Sequence, residues 1–196
     1  MTESQPQQQQ QQQQQHREEA GSIQEEVHND TQDHVPHRII AIAVDQSSFS
    51  EHAFEWAVKN FINPSTDQVV LLNVRPYVTA PVLYAAPMMD LGVDFMLTPD
   101  EYSKLDEANK TFSHNLIRKY AQTLIKKNIK CKGVALRGDP REEIVYKVHD
   151  LKADALIIGS RGMGLLKRTF VGSVSDYCVH HCHCTVIIPR DPETSK

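Results

Sequence analysis

One stretch of the sequence, residues 159–175, reads GSRGMGLLKRTFVGSVS and contains four of the eight glycines in the 196-residue chain. Glycine lets the backbone bend, or approach another group, where a side chain would clash. The segment before this loop, ADALIIG, is typical of a buried strand. The stretch ends in GSVS and continues as DYCVHHC, and the serine after its last glycine favours the start of a helix. A strand, a glycine loop and a helix N-terminus in this order indicate phosphate binding.

The glycine spacing suggests how phosphates would be held. Gly159 and Gly162 would let successive backbone N–H groups turn toward one anion. Gly172 and Ser173 begin the next helix, whose unpaired N–H groups and positive dipole end favour the same charge. Two groups of donors would then bind different phosphates of one nucleotide, with the Ser173 hydroxyl as a further donor.

Two better-known phosphate loops do not fit. A Walker loop has a lysine and a hydroxyl residue directly after its last glycine, but Leu165 and Leu166 follow Gly164. The dinucleotide motif G-x-G-x-x-G comes after the first strand, where this chain has VDQSSFS. The glycine stretch is therefore a different kind of nucleotide loop.

Apolar periodicity predicts the elements that position this loop. Five strands are expected, in HRIIAIAVDQS, QVVLLNV, KCKGVALRG, ADALIIG and CTVIIP. Helices are expected between them, with start signals at Ser48 and Glu51, at Thr98-Pro99-Glu101, at Asp139-Pro140-Glu142, and at Ser173. This alternation requires right-handed crossovers. The predicted fold class is α/β, a doubly wound five-stranded parallel sheet with helices on both faces.

Apolar residues at helical spacing predict which side chains face the core. In the first helix Trp56 is expected to be a core residue. In the second helix the expected core stripe is Leu105, Ala108, Phe112, Leu116, Tyr120 and Leu124.

Composition divides the chain into three parts. Residues 1–36 contain the run Gln7 to Gln15, no aromatic residue, seven acids and one base, so we expect a disordered tail. The tail is either an interaction or condensation element or a solvated leader. Residues 37–191 are expected to form one domain, and 192–196 a short C-terminal tail.

Net charge, hydropathy and cysteine content argue against several classes of function. The chain carries a net charge of −4 and the tail alone −6, so the remainder is nearly neutral and no nucleic-acid partner is expected. No apolar run of about eighteen residues predicts a membrane span, and the N-terminus has no signal-peptide pattern. The four cysteines are expected to stay reduced in the cytoplasm, or in the nucleus.

The full glycine spacing, G-x2-G-x9-G-S, resembles that of the universal stress protein family in its ATP-binding branch. The pieces AVDQSSFSEHAFEWA, LLNV, GDP and PR agree in order and place, and the resemblance covers about residues 37–191. It implies an adenine nucleotide alpha hydrolase-like fold, ATP with Mg²⁺ as the ligand, and a homodimer.

The resemblance also implies the residues that contact the nucleotide. They are Ala43, Val44, Asp45, Val74, Ile158, Gly159, Arg161, Gly162, Gly172, Ser173 and Val174. The first three would lie against the nucleoside, Val74 beside the adenine, and Ile158 and Gly159 beside the sugar and phosphates. Gly162 and the last three would face the phosphates. Asp45 has a second reading, as an acid that stabilises the helix it precedes.

Basic residues of the loop, Arg161, Lys167 and Arg168, either reach a γ-phosphate or are simply solvated. The motif HHCHC at residues 180–184 invites a metal reading, but zinc needs four converging ligands, and His180 and His181 point to different helix faces. No metal site is expected in the chain itself, and Cys184 is interpreted as structural.

Two further features predict contacts with other chains. The strand residues Thr185 to Ile188 carry no charge and are expected to form a sheet edge that pairs with a second copy. Residues 75–97 are unusually long for a connection, with three prolines and several apolar side chains, and are expected to bind a protein partner.

The predicted function is that of an ATP-binding regulatory protein of the stress response, which acts through nucleotide-dependent conformation and dimerisation. One alternative is an enzyme, either a weak ATPase or an adenylyl transferase. The H-x-G-H and S-G-G-x-D-S signatures of related enzymes do not occur in IAVDQSSFSEH, and no catalytic base is evident. The other alternative is a dimeric interaction module without nucleotide dependence.

Overall fold

The computed structural model describes residues 38–78, 98–161 and 172–190, in which strands and helices alternate. The elements in chain order are β1 Arg38–Ala43, α1 Ser48–Asn60, β2 Asp67–Arg75, α2 Pro99–Lys126, β3 Lys130–Arg137, α3 Pro140–Asp150, β4 Ala155–Ile158, α4 Ser173–His181 and β5 Thr185–Ile187. The predicted tails, most of residues 75–97, and Gly162, Lys167 and Arg168 lie outside the described residues.

All five strands form one parallel sheet in the order β3-β2-β1-β4-β5. β1 lies at the centre, where Ala43 is in register with Leu72 of β2 and with Ile158 of β4. The chain passes from β1 outward to β3 and then returns to the other side of β1. The strand order therefore reverses between β1 and β4, the position at which ligands bind in sheets of this type. The prediction of a doubly wound five-stranded parallel sheet is confirmed.

The sheet separates two apolar layers, because successive strand side chains point to opposite faces. Ile40 and Ile42 of β1 face the layer that α1 and α2 cover. Ala41 and Ala43 face the layer that α3 and α4 cover. Trp56 is partly buried and packs against the first of these layers.

The helix starts follow the predicted chemistry with one shift. Thr98 forms a capping box with Glu101 ahead of α2, and Asp139 caps α3. α1 is capped by Ser47, one residue before the predicted position, because Ser47 has the extended backbone that a cap requires. Its side-chain oxygen accepts a hydrogen bond from the Ser50 N–H.

The predicted core stripe of α2 is correct only in the second half of the helix. Tyr120 and Leu124 are buried, but Ala108 is exposed, and Leu105 and Phe112 are 45% and 47% exposed. α2 has 28 residues, which gives a length of about 42 Å. The nine residues of β2 span only about 30 Å. The helix is longer than the strand that it covers, and where it packs on the sheet its buried face includes Ser113 and Ile117, one residue along from the predicted Phe112 and Leu116.

Among the described helices, none is both long enough and apolar enough to cross a membrane.

Candidate functional site

The segment that follows β1 is hydrogen-bonded to the last part of β2, at the carboxyl edge of the sheet. The Val44 N–H donates to the Leu72 carbonyl at 2.8 Å, and the Asn73 amide donates to the Val44 carbonyl at 2.7 Å. The buried Ser113 hydroxyl of α2 donates to the Asn73 side-chain oxygen at 2.6 Å. This chain of bonds fixes the backbone that follows β1.

Sequence reasoning missed Asn73 and Ser113. The signal for Asn73 was present, because it is the one polar residue in the run VVLLNV and lies near the carboxyl end of its strand. A buried amide in a strand needs partners. Ser113 had no comparable signal, since a serine within a helix is usually exposed.

Asp45 organises the start of α1. One carboxylate oxygen, Oδ1, accepts from the Ser47 backbone N–H at 2.8 Å and from the Ser47 hydroxyl at 2.6 Å. The Asp45 N–H donates to the Ser50 hydroxyl oxygen at 2.9 Å. Within the chain, Asp45 therefore makes the contacts expected of an acid that stabilises the N-terminus of α1, which is the second interpretation given above.

Gly159 is the point at which α1 packs against the end of β4. A Cβ atom at this position would lie 2.9 Å from the carbonyl carbon of Phe49 and 2.9 Å from the nitrogen of Ser50. Both are backbone atoms, which cannot yield as a side chain would. Within the described residues only Gly138 is a glycine with positive φ. Close packing, rather than a left-handed turn, is thus the structural reason for glycine at position 159.

The two ends of the glycine stretch meet. The Gly172 N–H donates to the Ser160 carbonyl at 2.6 Å. The buried Ser175 hydroxyl donates to the Gly172 carbonyl at 3.0 Å and to the Ser160 carbonyl at 3.3 Å. A Cβ on Gly172 would lie 3.2 Å from the Arg161 Cα. The N-terminus of α4 is therefore held directly beside the end of β4, and the Gly172 N–H is already used within the protein.

The first turn of α4 differs from the first turns of α1, α2 and α3. Its cap is Gly172, which makes no side-chain hydrogen bond, whereas Ser47, Thr98 and Asp139 each cap their own helix. The first N–H groups of an α-helix have no partner inside the helix. At α4, the backbone N–H groups of Ser173 and Val174 are the ones placed to donate to an anion.

Arg161 lies at the same edge. Its guanidinium stands over the Phe49 ring at 5.3 Å from the ring centre, and its carbonyl accepts a 3.4 Å hydrogen bond from the Ser47 hydroxyl. On the other flank, Val74 is half-buried and packs against the layer under α3 and α4. Ten of the eleven predicted contact positions fall in the described residues, and they lie at the ends of β1, β2 and β4 and at the start of α4.

Histidines of the HHCHC motif bond back to their own helix. The Nδ1 atoms of His180 and His181 lie 2.8 Å from the carbonyl oxygens of Asp176 and Tyr177. In the parts of the chain that the structure describes, no group of three or more His, Cys, Asp or Glu side chains could hold a metal ion.

The sheet order and the placement of the glycine stretch define a doubly wound α/β protein with a helix N-terminus at the point where the strand order reverses. The sequence model of the Universal stress protein family matches residues 36–190. The chain belongs to this family.

Two relatives from Arabidopsis thaliana are similar in sequence. The universal stress protein PHOS32 is 35% identical over 166 residues, which are 80% of this chain and 66% of the relative. Universal stress protein PHOS34 is 35% identical over 170 residues, covering 80% of this chain and 63% of the relative. The chain thus spans slightly less than two thirds of the length of these relatives.

Solved structures show the same fold at lower sequence identity. UspA from Lactobacillus plantarum has a TM-score of 0.62 and 22% identity, covering 80% of this chain and all of its own. A universal stress protein family protein from Arabidopsis thaliana, solved with AMP bound, has a TM-score of 0.56 and 22% identity, covering 81% of this chain and 95% of its own.

Proposed function

We propose that the protein binds an adenine nucleotide, ATP with Mg²⁺, at the carboxyl edge between β1 and β4, and acts as a regulatory protein in the stress response. The observation that carries this proposal is the uncapped N-terminus of α4, fastened by Gly172 and Ser175 beside Ser160. A structural relative in the same family was solved with AMP bound, which supports an adenine nucleotide as the ligand.

Each side of the edge offers a different kind of contact. The Ser173 and Val174 N–H groups and the Ser173 hydroxyl would donate to phosphate oxygens. The backbone of Ala43 and Val44 would lie against the nucleoside. Because Oδ1 of Asp45 is bound by Ser47, a ribose hydroxyl would donate to Oδ2.

The remaining proposed contacts surround the base and the phosphates. Val74 and Ile158 supply apolar surface, Gly159 lies beside the sugar, and Gly162 and Arg161 belong to the phosphate loop.

The donor set of this edge fits a cation that arrives with the nucleotide. Mg²⁺ prefers oxygen ligands, keeps several waters, and is commonly held by one or two carboxylates together with substrate phosphates. When bound, the ion would neutralise part of the phosphate charge. With Oδ1 of Asp45 bonded to Ser47 and Oδ2 assigned to the ribose, the ligands of the ion would be phosphate oxygens and waters.

We further propose that hydrolysis, if measured, is far slower than the about 10 s⁻¹ of an ordinary enzyme. A general base must accept a proton from the attacking water. Asp45 instead uses one carboxylate oxygen to hold Ser47 at the start of α1. The nucleotide would then favour one conformation of the protein rather than be turned over.

Calorimetry with Mg²⁺-ATP tests the site. Gly172→Val places a branched side chain where even a Cβ lies 3.2 Å from the Arg161 Cα, so we expect roughly a hundredfold loss of affinity. Val179→Ala is the matched control, because Val179 is 49% exposed in the last turn of the same helix. Equal affinity in wild type and Gly172→Val would remove the assignment.

Identification of a co-purified ligand is independent of any variant. Freshly purified protein is denatured and the released small molecules are analysed by mass spectrometry. An adenine nucleotide in stoichiometric amount supports the proposal. If neither a released nucleotide nor binding of added Mg²⁺-ATP is found, the alternative of an interaction module without nucleotide dependence is the better one.

We propose that the homodimer forms through the edge strand, predicted as Thr185 to Ile188 and observed as Thr185–Ile187. Neighbouring residues of a strand direct their N–H groups to opposite sides. Of Val186→Pro and Ile187→Pro, one should therefore remove an outward N–H and give a folded monomer, while the other weakens pairing with β4. Light scattering is the measurement, and a monomeric wild type would exclude this interface.

Location and partner binding are also proposals. All four cysteines are free thiols, which favours a reducing compartment, the cytoplasm or the nucleus. The length and apolar content of residues 75–97 support a role in binding a protein partner.

A further inference from the structure

Three of the four cysteines lie together at the end of α4 and the start of β5. Cys178 is fully buried, while Cys182 and Cys184 are partly buried and pack against the same apolar layer. Cys182 caps the helix, and its N–H donates to the Cys178 carbonyl at 2.9 Å. Residues four apart in a helix share one face. The two side chains are therefore neighbours, one inside the protein and one reaching toward solvent.

The neighbouring thiols of Cys178 and Cys182 shift each other's pKa in opposite directions. The hydrogen bond from the Cys178 thiol lowers the pKa of Cys182, against the effect of burial. The same hydrogen bond, with burial, raises the pKa of Cys178. The negative end of the helix dipole disfavours a thiolate here, so the lowered pKa of Cys182 has its cause in the neighbouring Cys178 thiol.

The other two cysteines differ from Cys182. Burial is the main cause that raises the pKa of Cys184, and the charge on Cys182 adds to it. Cys131, alone in the core on β3, has its pKa raised to about 11 by burial. Because the thiolate is the nucleophile in cysteine chemistry, Cys182, with a lowered pKa and a partly exposed side chain, is better suited to react than the other three.

We propose that Cys182 is an oxidation site for hydroperoxides and that Cys178 resolves the oxidised product as an intramolecular disulfide. In the first step the Cys182 thiolate attacks the terminal peroxide oxygen, the O–O bond breaks, and Cys182 becomes a sulfenic acid as hydroxide leaves from hydrogen peroxide, or an alkoxide from an organic hydroperoxide. In the second step the Cys178 sulfur attacks the Cys182 sulfur. The S–O bond breaks, and the departing oxygen takes the Cys178 proton and leaves as water.

The backbone geometry admits this bond. Four residues of helix rise by about 6 Å, and Cα atoms joined by a disulfide are usually separated by about 4.4–6.8 Å. The bond would be formed within the last turn of α4, the same helix whose first turn we assign to phosphate binding. The oxidation reaction itself does not depend on a nucleotide.

The test uses the full chain, reduced and then treated with hydrogen peroxide, with the remaining thiols alkylated before mass spectrometry. We expect the loss of two hydrogen atoms, a disulfide that maps to Cys178 and Cys182, and full recovery of both thiols with dithiothreitol. Cys131→Ala is the control and should form the same disulfide. Cys182→Ser should abolish it.

Trapping distinguishes the attacking thiol from the resolving one. In Cys178→Ala the sulfenic acid has no partner in the same turn, so dimedone should label Cys182. Mapping of the wild type does not depend on how well this variant folds. A wild-type disulfide between Cys182 and Cys184 or between two chains, or a wild type that keeps all its thiols in peroxide, would overturn the proposal.

Discussion

Helices α1 and α4 begin at the same edge of the sheet, on opposite faces, and their first turns are built in opposite ways. α1 satisfies its own N-terminus, since Ser47 accepts from the Ser50 N–H at 3.1 Å and Asp45 holds Ser47 in place. The cap of α4 is Gly172, which has no side chain and so makes no side-chain hydrogen bond to the first turn. The helix that follows β1 therefore has a side-chain cap, whereas the helix that follows β4 has a glycine in the cap position.

The difference favours the start of α4 over the start of α1 as the anion site that we propose, which the glycine count alone does not do. A phosphate at α1 would displace bonds that the chain already makes and would face the carboxylates of Asp45 and Glu51. At α4 the cap residue, Gly172, makes no side-chain hydrogen bond that a phosphate would have to displace. α4 also carries one acid, Asp176, in its first turn, so its advantage is the open donors and not the net charge.

Substitution of Gly159 tests the α1 side of this comparison and is expected to have the largest effect on stability. Gly159→Ala forces a Cβ to within 2.9 Å of the α1 backbone, which should lower the free energy of unfolding by about 1–3 kcal/mol. Gly172→Ala, with its nearest contact at 3.2 Å, should cost less. Urea unfolding of both variants measures the difference. If Gly172→Ala is the more destabilised, the two glycines do not have the roles assigned to them.

Ser47→Ala removes the cap that distinguishes α1. The Ser50 N–H and the Asp45 carboxylate both lose a partner, so we expect a loss of about 1 kcal/mol in the free energy of unfolding. Ser47→Thr keeps the hydroxyl and should recover most of it. Thermal and urea unfolding measure the loss, and an alanine variant as stable as wild type would show that α1 does not depend on its cap.

The fold could be predicted because its signals are local. Apolar runs such as VVLLNV and the start signals at Thr98 and Asp139 each depend on a few neighbouring residues, and all of them agree. The stripe of α2 could not be bounded in the same way. Which face of a helix is buried, and how far along it, depends on the sheet beneath it. Leu105 is exposed, and Phe112 is exposed directly beside Ser113, which is buried and bonds to Asn73 of β2.

The residues proposed for the site came from sequence spacing, and the structure supplies a physical reason for two of them. The glycine spacing identified positions 159 and 172, yet their neighbours are Phe49 and Ser50 in one case and Ser160 and Arg161 in the other. Those contacts join segments more than a hundred residues apart in the first case and about ten in the second, and sequence spacing alone does not show which atoms come close.

Ser175→Ala tests the α4 side of the comparison. It should lower stability less than the substitutions of Gly159 and Ser47. The Ser175 hydroxyl has one proton, shared between the carbonyls of Gly172 and Ser160, so its removal should lower the free energy of unfolding by only about 0.5–1 kcal/mol. The Gly172 N–H keeps its own 2.6 Å hydrogen bond to the Ser160 carbonyl, but the second hydrogen bond between the start of α4 and the end of β4 is lost. We therefore expect the Gly172 amide to exchange with solvent severalfold faster, by local opening rather than by global unfolding.

Hydrogen exchange resolved by residue measures this change at Gly172. Ser113→Ala is the control, because it removes a buried hydroxyl elsewhere in the protein. Faster exchange at Gly172 in Ser113→Ala but not in Ser175→Ala would mean that the strand side of the edge, and not Ser175, holds α4 against β4.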